Sequence, residues 1–458
     1  MPSQPYHSSL YRFDKPQPSY WEDSMKASET FGEPLQGEDS CDVAIIGGGY
    51  TGLSAALHLA RDYSIDVRVL DAGEIGWGAS GRNAGFCTIG GTKLEVEDQI
   101  QRYGVDETRR YFQSQVDAID LVRQLSLDED IDYQIQGDRE WCVANSPRAY
   151  AGLKSEADVL SRVLGIDTQL VSAAEFSECG YDSRHQFGGM AVKPSFGLHP
   201  LRYVRGLAAA AGRRGAQLHP ASEVLKWESH KGRNNGRHCL KTAAGQLSAQ
   251  RVIIACNGFM PEHLHATLRG RSLPVQSNIV ITRVLSEDEL AAHSWHTTDP
   301  IISTGHVFNY YRMLADRRLL FGGRGGATGD PKESAQVFSD LEHSVHRYWP
   351  EWRGVEFTHR WRGLICMTRE LRPAIGRFAD DPSVMFGFGY HGNGVNTATW
   401  TGRELARWLA EGNNLVEPLP NHLPALVRGL PKRIPLPALR RWYVRGAMAY
   451  YRFKDWCR

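Results

Sequence analysis

Three glycines between residues 47 and 52 have the spacing of a loop that binds the phosphates of a dinucleotide. The run GGGYTG at 47–52 reads G-x-G-x-x-G. Gly47 would permit a tight turn, Gly49 would let the backbone approach a pyrophosphate, and Gly52 would let a helix pack closely on a strand. Free N–H groups at the start of that helix would then face the phosphates.

The elements that must position this loop are recognisable on both sides of it. Residues 42–46 (DVAII) form a short apolar run typical of a buried parallel strand, and residues 53–63 have apolar positions at helical spacing. Residues 65–70 (IDVRVL) predict a second strand that ends at Asp71, whose carboxylate can accept hydrogen bonds from both ribose hydroxyls of an adenosine. Because strand, loop, helix, strand and acid occur in this order, the pattern predicts a dinucleotide site.

A second loop rich in donors follows shortly after the acid, at residues 76–86 (GWGASGRNAGF). Its small residues, and the hydroxyl, guanidinium and amide groups of Ser80, Arg82 and Asn83, suit a loop that lies under a flavin. The alternative is a glycine-rich loop on the surface. No second dinucleotide motif occurs in the sequence, which argues against dependence on NAD.

This second loop resembles a segment of the family that contains D-amino-acid oxidase, glycine oxidase, monomeric sarcosine oxidase and gamma-glutamylputrescine oxidase. Members carry G-x-S-G-R-N-A/G-G after the second strand, which Ser80, Arg82 and Asn83 match directly. The resemblance continues at residues 197–200 (GLHP), which open a predicted helix with proline at its first position. Residues 252–258 (VIIACNG) are similar to a family strand that ends beside the cofactor, although a cysteine replaces the usual threonine.

The most specific similarity lies in residues 361–376 and in a strand, loop and helix that begin at residue 384. In the family this last segment places backbone N–H groups near the flavin N1 and C2 carbonyl. Reduced flavin is negatively charged there, and a helix N-terminus supplies a partial positive charge of about half a unit. Gly392, Gly394 and Val395 are the expected residues of this loop.

The resemblance implies that the cofactor is FAD, bound without a covalent bond. Some relatives attach flavin through a cysteine before the final strand, but Cys366 lies out of register with that position. Asn393 stands where many relatives carry histidine. The FAD-binding residues expected on this basis are Gly47, Gly49, Tyr50, Thr51, Gly52, Asp71, Ala72, Ser80, Arg82, Asn83, Ala84, Val224, Asn257, Gly258, Gly363, Gly392, Asn393, Gly394 and Val395.

The chemistry implied by the family is oxidation of a C–N bond in a small amine or amino acid. A hydride passes to flavin N5, the imine product hydrolyses in water, and O2 then regenerates the flavin and gives H2O2. Tyr311 and Arg312 on a predicted strand are substrate-binding candidates, with core packing as the alternative. Trp361 and His391 are expected near the flavin, so these four residues are the catalytic candidates.

One departure from the family pattern bears on the substrate. Glycine and D-amino-acid oxidases place a carboxylate-binding arginine in the segment that begins W-x-G-L, and here Ile365 is the apolar residue at that point. This favours a longer amine such as a gamma-glutamylated polyamine. A secondary amino acid of the pipecolate or sarcosine type, held by another arginine, is the alternative.

The motifs lie in separated blocks, which predicts two domains built from discontinuous pieces. The expected fold is a Rossmann-like α/β FAD-binding domain of the GR2/DAO type, interleaved with an α+β substrate domain built on an antiparallel sheet. The predicted pieces are an N-terminal arm (1–40), the FAD-binding domain (41–90, 196–270 and 361–412), the substrate domain (91–195 and 271–360) and a basic and aromatic helical tail (413–458).

Composition excludes several other classes of protein. Lys plus Arg (53) balance Asp plus Glu (52), so the clustered basic excess of a nucleic-acid-binding protein is missing. The eight cysteines include no C-x-x-C pair and no zinc spacing, so no metal site is expected. The N-terminus does not read as a signal peptide and no long apolar run follows, which predicts a cytoplasmic protein with free thiols.

The tail has two interpretations. On a helical wheel one side carries apolar and aromatic residues, and arginines flank it. The tail is then either a helix docked on the protein or on another subunit, or an interfacial membrane anchor of a dehydrogenase that passes electrons to a quinone. A flavin-binding interaction partner without turnover is the third hypothesis. The aromatic side comprises Leu439, Trp442, Tyr450, Phe453 and Trp456, and the flanking cations are Arg441, Arg445 and Arg452.

Overall fold

Two large sheets form the framework of the protein. The computed structural model describes residues 4–25, 30–229, 237–305, 307–412 and 422–456. In chain order the strands are β1 (Gly37–Ile46), β2 (Val67–Leu70), β3 (Phe86–Cys87), β4 (Glu140–Val143), β5 (Asp167–Val171), β6 (Gly189–Lys193), β7 (Phe196–Gly197), β8 (Gln217–His219), β9 (Lys226–Ser229), β10 (His238–Lys241), β11 (Gly245–Ile254), β12 (Leu273–Thr282), β13 (Ile301–Ser303), β14 (Asn309–Met313), β15 (Leu319–Arg324), β16 (Phe357–Met367), β17 (Ala374–Arg377) and β18 (Val384–Phe388). The α-helices are α1 (Tyr20–Asp23), α2 (Tyr50–Tyr63), α3 (Val96–Tyr103), α4 (Val105–Asp128), α5 (Pro147–Asp158), α6 (Ala173–Cys179), α7 (Pro200–Arg213), α8 (Glu287–Ala291), α9 (Pro331–Tyr348), α10 (Gly394–Glu411) and α11 (Arg440–Trp456).

The first sheet is mostly parallel and has the strand order β17-β18-β11-β1-β2-β8. Strand β1 pairs in parallel with both β2 and β11, and β11 pairs in parallel with β18. Residues 43–46 of β1 are buried, as expected for a central strand covered on both faces. Strands β17, β10 and β9 add antiparallel pairings at the margins of this sheet.

Helix α2 is held close to the first sheet because small residues line its contacts. A Cβ atom built on Gly52 would lie 1.9 Å from the carbonyl oxygen of Gly47 in the preceding turn. On the opposite side, a Cβ atom on Gly402 of α10 would lie 2.4 Å from the carbonyl oxygen of Thr51. Since α2 is packed between strand β1 and helices α7 and α10, its first three turns are buried.

The second sheet has the strand order β16-β12-β15-β14-β13-β4-β6-β5 and is antiparallel except between β13 and β4. Its outer face packs on helix α9 through a cluster of aromatic side chains that includes Tyr311, Phe321 and Trp349. The predicted architecture, a Rossmann-like α/β domain interleaved with a domain built on an antiparallel sheet, is therefore confirmed.

Two of the predicted domain boundaries need correction. Trp361 lies opposite Ile279 in the pairing of β16 with β12, so residues 361–367 belong to the second sheet and not to the first domain. Helix α4 was expected in the substrate domain, but it packs against α10, beside the first sheet. Both errors arise because a linear motif shows where the cofactor is contacted and not which strand is its neighbour.

The C-terminal tail contains the predicted helix, α11, which rests on the protein through Arg440 and Val444. Its other sides are exposed: Trp442, Tyr450 and Phe453 are 65%, 52% and 61% accessible. Residues 413–421, and the side chains of Arg452 and Trp456, lie outside the described residues. Within the described part of the chain, no helix is both long enough and apolar enough to cross a membrane.

Candidate cofactor and substrate site

A large cavity lies where the carboxyl ends of the first sheet's parallel strands meet the inner face of the second sheet. Its volume is about 320 Å³. Small-molecule sites usually have volumes of about 300–1000 Å³. The cavity therefore lies within the range of small-molecule sites, and its wall joins the loops of the first sheet to the strands of the second.

The glycine loop and the start of α2 form one end of the cavity. Gly49 is the N-cap residue of α2, and the backbone N–H of Tyr50 donates to Ser80 Oγ at 3.0 Å. A Cβ atom on Gly49 would lie 2.7 Å from the same oxygen. Gly47 has a φ of +112°, a backbone conformation that favours glycine. The loop is thus a cradle of backbone groups at a helix N-terminus, suited to a pyrophosphate.

Asp71 lies at the end of β2, beside the glycine loop. Its Oδ2 accepts a hydrogen bond from Gly48 N–H at 2.6 Å, and its Oδ1 accepts one from Gly73 N–H at 2.9 Å. Burial disfavours the charged carboxylate and raises the pKa of Asp71 to about 6, against the lowering effect of the two N–H groups. Ala72 and Val224 line the cavity next to it, where a nucleoside would follow the pyrophosphate.

Arg82 supplies a buried donor that has no partner. Its Nε donates to the carbonyl oxygen of Gly78 at 3.2 Å, its Nη1 donates to that of Arg362 at 3.3 Å, and its guanidinium lies 4.2 Å from the centre of the Trp77 ring. Its Nη2 makes no hydrogen bond with any described residue. Burial lowers the pKa of Arg82 to about 9. Because Arg82 lines the cavity, an oxygen acceptor of a bound cofactor would satisfy this group.

The side chain of Asn83 forms hydrogen bonds with the backbone of the same loop. Its Nδ2 donates to the carbonyl oxygens of Ala79 and Ser80 at 3.1 and 2.9 Å, and its Oδ1 accepts from Gly85 N–H at 2.7 Å. With all these bonds made inside the turn, the side chain fixes the loop that also brings Ala84 to the cavity wall.

The glycine loop before α10 closes the opposite wall. Gly392 has a φ of +99°, and α10 begins at Gly394, so the first N–H groups of this helix lie at the cavity. Asn393 anchors the loop by donating from Nδ2 to the carbonyl oxygen of Thr88 at 2.8 Å. Nearby, Asn257 Oδ1 accepts from Gly389 N–H at 2.9 Å. The remaining predicted residues on the wall are Thr51, Gly258, Gly363 and Val395.

His391 is the one of the four catalytic candidates that lines the cavity. Thr368 N–H donates to its Nε2 at 3.1 Å, so the proton of the neutral ring is on Nδ1. Burial and the nearby cations Lys93 and Arg324 lower the pKa of His391 to about 3. The ring is therefore a neutral donor and not a general base.

Tyr311 and Arg312 are not on the cavity wall, contrary to the sequence prediction. Successive side chains of a strand point to opposite faces, and Tyr310 faces the cavity while Tyr311 packs in the core. The Tyr311 hydroxyl lies 2.6 Å from that of Tyr181. Arg312 is buried, and its guanidinium donates to the carbonyl oxygens of Leu198 at 2.6 Å and Ala84 at 3.1 Å. Both residues therefore act in packing.

Trp361 also lies behind the wall. Its Nε1 donates to the carbonyl oxygen of Arg82 at 2.8 Å, and its ring packs edge-on against Trp21. The residue supports the Arg82 loop and is not among the residues that line the cavity.

The side chains that give the second-sheet end of the cavity its character are not among the four catalytic candidates predicted from the sequence. Lys93 comes from the loop before α3, Glu140 from β4, Phe308 from the turn before β14, and Tyr310 and Arg324 from β14 and β15. The strand alternation that placed Tyr311 in the core was the signal that could have identified Tyr310.

The packing role of Arg312 leads to a stability prediction. Arg312→Met leaves the buried carbonyls of Leu198 and Ala84 without donors, and we expect it to lower the free energy of unfolding by about 2–4 kcal/mol. Arg162→Met, at a side chain that is 80% exposed, is the control and should change stability little. Urea unfolding measures both variants. A full-stability Arg312→Met protein would contradict the packing role.

Comparison with known proteins agrees with this geometry. Residues 42–408 match the model of the DAO family, described as FAD dependent oxidoreductase. The chain is 30% identical over 444 residues to the gamma-glutamylputrescine oxidoreductase of Escherichia coli K12, covering 95% of this chain and 98% of that one. It is 22% identical over 366 residues to the glycine oxidase of Bacillus subtilis, covering 79% and 90% of the two chains.

Solved structures show the same fold. The crystal structure of glycine oxidase from Geobacillus kaustophilus superposes with a TM-score of 0.68 at 22% identity, over 85% of this chain and all of that one. L-proline dehydrogenase from P. horikoshii gives 0.64 at 18% identity, over 90% and 99% of the two chains. The protein is therefore an enzyme with FAD as its cofactor, and it belongs to the DAO family of FAD-dependent oxidoreductases.

Proposed function

We propose that this enzyme oxidises the C–N bond of a small amine to an imine and passes the electrons to O2, giving H2O2. Bound FAD supplies the hydride acceptor. The observation that carries the proposal is the single cavity in which the FAD-binding loops adjoin a chamber walled by Lys93, Glu140, Phe308, Tyr310 and Arg324. The names of the relatives, which include an oxidoreductase of gamma-glutamylputrescine and two amino-acid oxidoreductases, support this class of substrate.

The residues of the chamber orient the substrate and exclude water. Ile365 and Ile279 make part of the wall apolar, and the Tyr310 hydroxyl is held 2.8 Å from Ser277 Oγ. The neutral ring of His391 adds no charge that would favour a protonated or a deprotonated amine. In such a chamber the reaction depends on placing a neutral amine correctly rather than on a strong base.

A gamma-glutamylated polyamine is the substrate class that we favour. The similarity to the E. coli enzyme extends over 98% of that relative's length. The apolar Ile365 also lies on the cavity wall at the position where glycine and D-amino-acid oxidases carry an arginine. A substrate held differently from a small α-amino acid fits this arrangement.

FAD is expected to be held without a covalent bond. The side chain of Cys366 is fully buried in the core beneath the first sheet, together with Phe386 and Phe388. It therefore does not face the cavity. Acid precipitation should release the flavin into the supernatant.

A second candidate is a dehydrogenase of a secondary amino acid that delivers electrons to a membrane quinone. The observation in its favour is α11, which exposes Trp442, Tyr450 and Phe453 next to Arg441 and Arg445. A basic helix with exposed aromatic side chains is suited to an anionic membrane surface.

Anaerobic mixing of the holoenzyme with a panel of amines tests the proposal. The panel contains gamma-glutamylputrescine, putrescine, sarcosine, pipecolate, proline and the common D- and L-amino acids. We expect gamma-glutamylputrescine to bleach the flavin absorbance fastest, and air to restore it rapidly with formation of H2O2. Slow recovery in air with fast recovery by a soluble quinone would favour the dehydrogenase. If no amine bleaches the flavin, the proposed function is wrong.

A further inference from the structure

Two cations in the chamber lie against the same aromatic ring. The Lys93 Nζ is 5.0 Å and the Arg324 Cζ is 5.1 Å from the centre of the Phe308 ring. Lys93 precedes α3 and Arg324 ends β15, so separate parts of the chain bring the two charges together. Desolvation lowers the pKa of Lys93 and the charge of Arg324 lowers it further, so the two cations repel one another. Cation–π contact with one ring compensates for only part of that cost.

Among the described residues, neither cation has an acidic partner in a salt bridge. No carboxylate of the described residues lies within 4.0 Å of Lys93 or Arg324, whereas Arg61 and Arg214 elsewhere share the buried Glu129. Within the part of the chain that the structure describes, Arg324 makes one long hydrogen bond, from Nη2 to the carbonyl oxygen of His391 at 3.4 Å. Desolvation and the charge of Arg324 lower the pKa of Lys93 to about 7, and burial lowers the pKa of Arg324 below its usual value. Two cations that line a cavity without an acidic partner among these residues suit a bound anion.

Lys93 is an exposed residue that lines the cavity. Arg324 lines the same cavity. An anion that enters the cavity can therefore meet both cations.

A carboxylate lies close to this pair in the same chamber. Glu140 on β4 is buried and lines the cavity, but it is farther than 4.0 Å from Lys93. Burial raises the pKa of Glu140 to about 7, and the charge of Lys93 acts against this rise. Two cations beside one acid are complementary to an amino-acid group, whose carboxylate and ammonium are joined through one carbon.

Arg324 lies next to the glycine loop before α10. A Cβ atom on Gly392 would be in ordinary van der Waals contact with Arg324 Nη2, at 3.8 Å. Ile365, which follows the W-x-G-L segment, is apolar where glycine and D-amino-acid oxidases carry an arginine. The positive charge of the chamber therefore comes from Arg324 and Lys93.

We propose that Lys93 and Arg324 form a carboxylate-binding subsite, with Glu140 as the partner of an adjacent ammonium group. The inference rests on the proposed function and narrows its substrate class to amines that also carry a carboxylate. Simple diamines such as putrescine lack the group that this subsite binds.

A pair of substrates that differ by one carboxylate tests the subsite. The pair is gamma-glutamylputrescine and 4-aminobutanoylputrescine, which has the same chain and amines but no carboxylate. Dissociation constants come from the dependence of the anaerobic flavin reduction rate on substrate concentration. We expect wild-type holoenzyme to bind the carboxylated compound about 100-fold more tightly, the effect of one charge-assisted, bidentate contact.

Arg324→Met should remove most of this difference, because it weakens binding of gamma-glutamylputrescine about 100-fold and leaves binding of the analogue within about twofold. Arg324→Lys should recover part of it. Lys93→Met is the second variant. It changes a residue in a loop, so it leaves strand β15 intact. Arg162→Met is the matched surface control, distant in sequence and 80% exposed.

Equilibrium binding of glutarate, followed by the shift of the flavin absorbance, gives a readout without turnover. Glutarate should bind the wild type and the control but not Arg324→Met, and glutaramide should bind none of them. The subsite is wrong if the wild type binds the two compounds with the same affinity. It is also wrong if Arg324→Met and Lys93→Met each weaken binding of both compounds to the same extent. If no amine reduces the flavin but glutarate binds through Arg324, the proposed function fails and the subsite stands.

Discussion

Alanine at position 52 is expected to produce a protein that does not retain FAD. The new Cβ atom would lie 1.9 Å from the carbonyl oxygen of Gly47 and 3.1 Å from a side-chain carbon of Ile45. The contact with Gly47 is with a backbone atom, so it can be relieved only if helix α2 moves away from the glycine loop that precedes it. Overpacking of this kind costs about 1–3 kcal/mol or more, which corresponds to FAD binding at least about 10- to 100-fold weaker.

Gly152→Ala is the matched control for this prediction. Gly152 also lies within a helix, α5, but a Cβ atom there meets no atom within 4 Å. Removing a helical glycine at such a site should raise stability by about 0.5–1 kcal/mol and leave FAD bound. The ratio of flavin to protein absorbance after purification compares the two variants. A yellow Gly52→Ala protein with wild-type affinity would show that helix and loop need not pack this closely.

Asparagine at position 71 is expected to weaken FAD binding about 100- to 10,000-fold, because it would lose the two charge-assisted hydrogen bonds that Asp71 is expected to accept from the ribose, at about 1.5–3 kcal/mol each. Both carboxylate oxygens of Asp71 already accept backbone N–H groups, from Gly48 and Gly73. An amide has one oxygen, so its NH2 group would face one of these donors. Titration of the apoprotein with FAD measures the change.

The pH dependence of FAD binding provides a second readout of Asp71. Because the pKa of Asp71 is raised to about 6, the carboxylate is ionised above that pH and protonated below it. A protonated acid accepts ribose hydroxyls less well, so FAD affinity should fall as the pH drops through 6, by up to about tenfold per unit. The Asp71→Asn variant should show no such bend. If the FAD affinity of the wild type does not change between about pH 5 and 8, Asp71 does not bind the cofactor.

The nucleotide-binding half of the site was predictable because its signal is local. The strand, glycine loop, helix, second strand and Asp71 occur without interruption, and the structure has all of them in that order. Strand β1 starts earlier than expected, at Gly37, because its polar first residues pair with the start of β11. Pairing with a distant strand is not encoded in the local pattern.

The substrate half was not predictable in the same way, because its residues are brought together by strand register. In β14, Tyr310 lies opposite Gly322 and Tyr311 lies opposite Phe321. A Cβ atom on Gly322 would lie 2.1 Å from the Tyr310 ring, so this glycine makes room for the ring. The choice between the two tyrosines therefore depended on a residue in the next strand, whose register the sequence alone does not give.

The position of β11 between β1 and β18 has a consequence for how the enzyme is made. Ala44 pairs with Val252, and Val252 pairs with Val384, so the centre of the first sheet joins residues far apart in the chain. Such long-range pairings fold slowly because loops must close before contacts form. FAD that is held by both glycine loops could bind only after synthesis has passed Gly394. Its binding would then stabilise only the finished fold.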